Sequence, residues 1–242
     1  MKTVAIVQAR MESTRFPNKV MSIINFKPLI ELLLTRLSSS KTIDQVVLAT
    51  YLSEVNKPLI NHVKKLGYHV HLGSKNDVLD RYYNAALEVN ATEIVRITGD
   101  CPLIDSEVVD DVVNLFHFKK VDFATNASPP SFPDGLDVSI FTFKALEVAW
   151  KEAKHLFDRE HVTPYIKKSN LFATANLLSS IDLSAERWTV DEKEDLDFVR
   201  KVCMNFYPRL DFSYKEVIEL QKRNPDIFMI NKHLKRNEGA SM

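Results

Sequence analysis

Three cations follow one hydrophobic run closely. Val4-Ala5-Ile6-Val7 leads into a stretch carrying Arg10, Arg15 and Lys19, with Ser13 and Thr14 between them. Guanidinium groups offer forked donors to phosphate oxygens and an ammonium adds a compact charge, so this trio suits a polyphosphate. It equally suits a solvated basic loop. A second group ends another apolar run, Val95-Arg96-Ile97-Thr98-Gly99-Asp100. A carboxylate just past a buried strand can hold a divalent cation beside phosphates, or can simply close a turn before Pro102. In an open α/β sheet, ligands bind beyond the carboxyl ends of the strands, where both groups would fall.

The elements that must position these groups alternate. Residues 3–8, 45–49 and 93–97 read as buried strands, 68–71 as a short strand, and 29–38, 57–66, 77–89 and 106–118 as helices, the last capped by Asp105. The pattern predicts an α/β fold with a mostly parallel sheet between two helical layers. The second half is less regular. Strands are expected at 122–125, 137–142 and 172–178, with a helix through 154 and another over 159–168 despite Pro164. Ser128–Pro133 reads as a loop at the mouth of the site. Asp191 with Glu194, and Ser213 with Glu216, have capping-box spacing for two late helices. The chain reads as one domain over 1–231, with 122–186 on the acceptor side and a frayed tail over 232–242.

Composition removes several classes. Lys+Arg and Asp+Glu are both 32 of 242 residues, which argues against nucleic-acid binding by bulk charge. No apolar run approaches the ~18 residues of a membrane span. The chain opens on a strand without a signal-peptide pattern, and two cysteines, Cys101 and Cys203, form no disulfide framework, so a cytoplasmic location is expected. The five glycines form neither G-x-G-x-x-G after the first strand nor a P-loop. If phosphate is bound at the first loop, side chains must therefore do much of the work.

Gln8-Ala9-Arg10-Met11-Glu12-Ser13-Thr14-Arg15-Phe16-Pro17-Asn18-Lys19 resembles the opening A-R-x-x-S-T-R-L-P-G-K signature of the sugar cytidylyltransferases. These include CMP-KDO synthetases, CMP-sialic acid synthetases and the spore coat polysaccharide biosynthesis protein F branch. Glu12, Phe16 and Asn18 depart from that pattern; Asn18 tolerates the positive φ that glycine would supply. Gly99-Asp100-Cys101-Pro102-Leu103-Ile104 and Thr189-Val190-Asp191 through Glu194-Asp195-Leu196 resemble two further segments of the family. Asp77-Val78-Leu79-Asp80-Arg81-Tyr82, Gly135-Leu136-Asp137-Val138 and Arg159-Glu160-His161-Val162-Thr163-Pro164-Tyr165-Ile166 resemble segments of the spore coat branch. Ser139 stands where that branch commonly has Glu.

The resemblance implies a Rossmann-like nucleotidyltransferase fold of the GT-A type and transfer of CMP from CTP to an acidic or phosphorylated sugar for surface polysaccharide. It implies catalytic roles for Arg10, Arg15, Lys19 and Asp100. The nucleotide would be held by these with Ala9, Ser13, Thr14, Gly73, Ser74, Arg81 and Thr98. Magnesium, or manganese in its place, would sit on Asp100 and Asp191. Asp137, Arg159 and His161 would face the acceptor, and the protein would be a homodimer. Read from the residues alone, Arg81 equally pairs with Asp77 at i,i+4, Asp191 equally caps a helix, and His161 equally serves as a structural residue. Transfer from another nucleotide, or nucleotide binding without turnover, are the competing readings.

Overall fold

The computed structural model describes residues 1–236. Strand β1 (Thr3–Gln8) is buried on both faces, which explains its unbroken apolar run. A 3₁₀ turn (Lys19–Met21) and a small ribbon, β2 (Ile23–Ile24) and β3 (Lys27–Pro28), lead to α1 (Leu29–Leu37). Then come β4 (Gln45–Thr50), α2 (Lys57–Lys65), β5 (His69–Leu72), α3 (Val78–Glu88) and β6 (Glu93–Thr98). The later part comprises α4 (Ser106–Lys119), β7 (Phe123–Thr125), β8 (Ser139–Thr142), α5 (Phe143–Glu152), α6 (Leu156–His161), α7 (Pro164–Lys168) and β9 (Thr174–Asn176). It closes with α8 (Lys193–Phe206), α9 (Tyr214–Arg223) and α10 (Pro225–Met229).

Seven strands form one sheet in the order β5-β4-β1-β6-β8-β7-β9, with β8 alone antiparallel to its neighbours. Alternate residues of β1 feed two cores. Ala5 and Val7 join the side chains of α1, α2, α4 and α8, while Val4 and Ile6 join those of α3, α5 and α7. The expected three-layer α/β/α architecture is therefore present. Strand order reverses at β1, which lies between β4 and β6, so a crevice opens at the carboxyl ends of β1 and β6. Gly99 makes that crevice tight: a Cβ there would lie 2.6 Å from Ala9 Cβ and 2.8 Å from Gln8 O. Only glycine lets the two loops touch.

Three local outcomes differ from the sequence expectation. The helix expected over 159–168 is two, α6 and α7, divided at Val162, whose φ of 69° is strained for a β-branched residue. Pro164 opens α7, where its missing N–H costs nothing. The box expected at Asp191 and Glu194 is shifted by one residue: Glu192 is the N-cap of α8, and Asp195 accepts from the backbone N–H groups of Asp191 and Glu192 at 2.9 Å each. The ribbon β2–β3 was not legible, because Asn25 and Phe26 take the two positive φ values of its turn without a glycine. By contrast Asn18 adopts the left-handed conformation expected of it, and Asp105 and Ser213 cap as expected.

The tail expected to fray from Lys232 is held as far as Arg236, whose guanidinium reaches Phe132 O at 3.1 Å and the Asp137 carboxylate at 2.6 Å. The rest of that expected tail, 237–242, lies outside the described residues. Among the described residues no helix is long and apolar enough to cross a membrane.

Candidate active site

The loop leaving β1 is pinned from below. Met11 N donates to Asn56 Oδ1 at 2.9 Å, and Asn18 N donates back to Met11 O at 2.9 Å. This hooks the loop so that Lys19 turns inward and is only 7% exposed, while Arg10 and Arg15 stay at the surface. Arg10 has neither a hydrogen bond nor an ion pair among the described residues. Thr14 is exposed, and Ser13 Oγ accepts a long 3.4 Å bond from Phe16 N. Glu12 does not oppose the cation trio. Its carboxylate accepts from the Tyr51 hydroxyl and lies 3.1 Å from Lys75 Nζ, and these two partners hold it below the usual carboxylate range.

Lys19 is the centre of the site. Its Nζ donates to Asp191 Oδ1 at 2.7 Å, Val190 O at 2.8 Å and Asp100 Oδ2 at 3.2 Å. Burial opposes the ammonium charge, but the two carboxylates outweigh it and raise the pKa. Asp100 shows the reverse balance: burial would raise it, yet Lys19 and Thr98 bring it down to about 2. Backbone contacts fix the pair, since Val190 N donates to Asp100 O at 2.8 Å. Arg15 lies 3.1 Å from the other oxygen of Asp191. The shifted capping box matters here. Asp195 takes over the helix terminus and forms a two-pronged bond with buried Arg187, 2.9 Å at each oxygen, which leaves Asp191 facing the site.

Beside this group lies a cavity of about 580 Å³ between the end of β6, the β7–β8 loop and the α6–α7 corner. It is lined by the predicted residues Arg15, Thr98, Asp100, Asp137, Asp191 and His161. Ala9, Arg10, Ser13, Thr14, Gly73, Ser74 and Arg81 lie outside its lining, toward the β1 and β5 exits. Arg81 is not paired with Asp77; it is buried and donates to Ser74 O at 2.7 Å, bracing the Gly73–Ser74 turn. Arg159 does not reach the cavity. Its Nε donates to Asp77 Oδ2 at 2.6 Å and its Nη1 to Trp150 O at 2.8 Å, so it ties α6 to α3 and α5. This corrects the acceptor-side role expected of it.

The cavity also holds residues that sequence reasoning missed: Arg96, Asp134 and Lys167. Arg96 carried a signal, a lone charge inside an apolar strand. Asp134 carried none. Gly135, at φ 110°, presses its loop so close to the Trp188–Thr189 backbone that a Cβ would meet Thr189 N at 2.7 Å. Burial, with Asp137 and Asp100 nearby and against the pull of Arg236 and Arg187, pushes Asp134 up from the ordinary 3.8 to about 6. The folded state thus keeps this proton to higher pH than the unfolded chain. The stability it contributes is full below pH ~4 and lost as pH rises toward 6, about 3 kcal/mol. Asp134→Asn is expected to match wild type in urea at pH 4 and to exceed it by about 1–3 kcal/mol at pH 8. Equal differences at the two pH values would count against the shift.

The sequence profile of the Cytidylyltransferase family matches residues 4–234. The chain belongs to the cytidylyltransferase family. With that family it is a CTP-dependent nucleotidyltransferase. The spore coat polysaccharide biosynthesis protein SpsF of Bacillus subtilis is 31% identical over 234 residues, covering 91% of this chain and 94% of that protein. The solved structure of a cytidylyltransferase from Leptospira borgpetersenii serovar Hardjo-bovis superposes with a TM-score of 0.89 at 35% identity, over 94% of this chain and 97% of that one. A CMP:2-keto-3-deoxy-manno-octonic acid synthetase solved with CTP shares the fold, with a TM-score of 0.65 at 17% identity over 85% and 99% of the two chains. As a cytidylyltransferase, the chain keeps Arg10, Arg15, Lys19, Asp100 and Asp191 of the resemblance, and the fold brings the last four together.

Proposed function

We propose that this cytidylyltransferase transfers CMP from CTP to an acidic or phosphorylated sugar, releasing pyrophosphate, in surface polysaccharide synthesis. The observation that carries this reading is Lys19 binding Asp100 and Asp191 at the rim of a cavity with room for a sugar. In the reaction an acceptor hydroxyl oxygen bonds to the α-phosphorus, the bond to the β-phosphate oxygen breaks, and the hydroxyl proton leaves to solvent or a phosphate. Such a transfer needs alignment and charge neutralisation rather than covalent catalysis. Arg10 and Arg15 meet the triphosphate from the surface of the loop, and Lys19 holds the carboxylates in place beneath it.

The same carboxylates fit magnesium, or manganese. Both are hard oxygen donors converging on one point, and Asp100 is held ionised far below neutral pH. Among the described residues there is no group of three or more acidic, His or Cys side chains able to hold a metal. A bound ion would therefore take its remaining ligands from phosphates and water, as magnesium prefers. When bound, it would neutralise phosphate charge and lower the pKa of an oxygen it contacts. We also propose a homodimer in the cytoplasm, and sedimentation at micromolar concentration tests the dimer.

CTP with magnesium is expected to stabilise the protein selectively. At ~100 times its dissociation constant a ligand adds about 2.7 kcal/mol, or roughly 5–10 °C for a domain of this size. UTP, ATP and GTP serve as comparisons in the thermal-shift panel, each with and without magnesium. A larger shift with another base changes the donor. No shift with any nucleotide, together with no pyrophosphate release on an acceptor panel, removes the reading.

A further inference from the structure

Arg96, Lys167 and His161 line one wall of the cavity, and none of the three makes an ion pair among the described residues. Arg96 lies within β6, between Ile6 of β1 and Ser139 of β8 in register. Strand alternation puts it on the side of Ile94, the face covered by α3, α5 and α7. Its Nε is buried without a hydrogen-bond partner, and no carboxylate among the described residues pairs with it. Lys167 of α7 and His161 of α6 line the same cavity and likewise make no ion pair among the described residues. Desolvation and the neighbouring Arg96 charge depress both of them, against Asp137 for Lys167 and Glu160 for His161.

Of the four acids lining the cavity, three are engaged elsewhere and the fourth, Asp134, lies 3.8 Å from Arg187. Asp137 is clasped by Arg236, and Asp100 and Asp191 by Lys19. Ser139, directly across the strand pair from Arg96, is hydrogen-bonded to Thr125 Oγ1 at 3.1 Å. Position 139 carries no charge, so β8 places no carboxylate opposite Arg96. Like charges gathered in a partly desolvated site are costly unless something neutralises them. The corner between α6 and α7, where Val162 takes φ 69°, brings Thr163 and Pro164 to the same cavity.

We propose that Arg96, Lys167 and His161 form an anion receptor in the acceptor end of the cavity, filled by a phosphate or carboxylate group of the acceptor sugar. The receptor rests on the cytidylyltransferase reading for its purpose, but its binding does not require nucleotide. It replaces Arg159, whose guanidinium is committed to Asp77, as the source of positive charge toward the acceptor. Ser139 is the specificity position, because a carboxylate there would occupy Arg96 and exclude the anion.

Isothermal titration of the full chain with inorganic phosphate, and separately with acetate, tests the receptor. Melting temperatures first establish that each variant is folded. Binding weakened at least tenfold in Arg96→Gln, Lys167→Gln and Ser139→Glu, but less than threefold in Arg10→Ala on the nucleotide side, is the expected result. Lys167→Gln and Ser139→Glu carry the test if Arg96→Gln fails to fold. Phosphate alone responding identifies a phosphorylated acceptor; acetate responding as well identifies a carboxylate. Neither anion binding to wild type, or binding lost in Arg10→Ala and retained in the cluster variants, overturns the proposal. The nucleotide thermal-shift panel is read separately: a wild type that ignores every nucleotide and releases no pyrophosphate removes the proposed transfer, whereas the anion titration alone decides the receptor.

Discussion

Asp100→Asn is expected to give a folded protein whose nucleotidyl transfer is slower by about a thousandfold, or ~4 kcal/mol of transition-state stabilisation. The substitution is nearly isosteric. The backbone contacts that fix position 100, Val190 N to its carbonyl at 2.8 Å and Thr189 Oγ1 at 3.3 Å, do not involve the side chain. An amide oxygen can still accept from Lys19. What disappears is the negative charge, which Lys19 and Thr98 keep on Asp100 down to a pKa of about 2. A residue so strongly held in its ionised form beside the nucleotide loop is suited to bind a cation under the phosphates. Removing a single preorganised electrostatic group of this kind typically costs a hundred- to a thousandfold. Single-turnover pyrophosphate release gives the rate, and circular dichroism melting gives the fold. Turnover within tenfold of wild type in a folded variant would sink the metal-ligand assignment for Asp100.

The first half of the chain was the more legible because its signals are local. An apolar run buried on both faces is a strand whatever follows it, and β1, β4 and β6 obey this. The Arg10 loop and Asp100 were expected on one rim of the sheet, and they meet there with Ala9 packed against Gly99. The second half depends on partners distant in sequence. Asp191 and Glu194 have capping-box spacing, yet Glu192 and Asp195 form the box because buried Arg187 recruits Asp195. A one-residue shift there changes Asp191 from a helix cap to a site carboxylate. Arg159 and Arg96 make the same point. Sequence reasoning put Arg159 at the acceptor and passed over Arg96, and only the packing of α6 against α3 shows that Asp77 consumes the first. Arg236 belongs to a stretch without apolar periodicity, so its hold on Asp137 had no signal at all.

These shifts share a physical cause. The site contains more carboxylates than a solvated crevice needs, and nearly every one is assigned a cation by tertiary contact. Lys19 serves Asp100 and Asp191, Arg187 serves Asp195, and Arg236 serves Asp137. Asp134 lies 3.8 Å from Arg187, and its burial outweighs the pull of Arg236 and Arg187, so its pKa is raised. Asp100 and Asp134 are the extremes of one network: the first is held ionised, the second resists ionisation. Substrate phosphates and a divalent ion would enter this balance as additional charges, so binding and protonation at the site are coupled.

Lys19→Ala tests that balance directly and is expected to destabilise the fold by about 3–5 kcal/mol, the usual cost of leaving a buried charge without its partner. The side chain is 7% exposed and its ammonium satisfies three acceptors, one of them the Val190 carbonyl. Without it, Asp191 keeps Arg15 and Arg187, but Asp100 loses the nearest charge that keeps its pKa low. Lys19→Arg, which keeps the charge but not the shape, should lose less. Magnesium distinguishes an electrostatic loss from a packing loss. If the carboxylates form a cation site, magnesium should raise the melting temperature of Lys19→Ala by more than that of wild type, because the ion then answers charges the lysine no longer answers. A deficit indifferent to magnesium would assign the lysine to packing alone. Transfer should fall at least tenfold, about 1.4 kcal/mol, even where magnesium restores the fold. The reason is that a metal between the carboxylates replaces the missing charge, while the ammonium that positions them from beneath is gone.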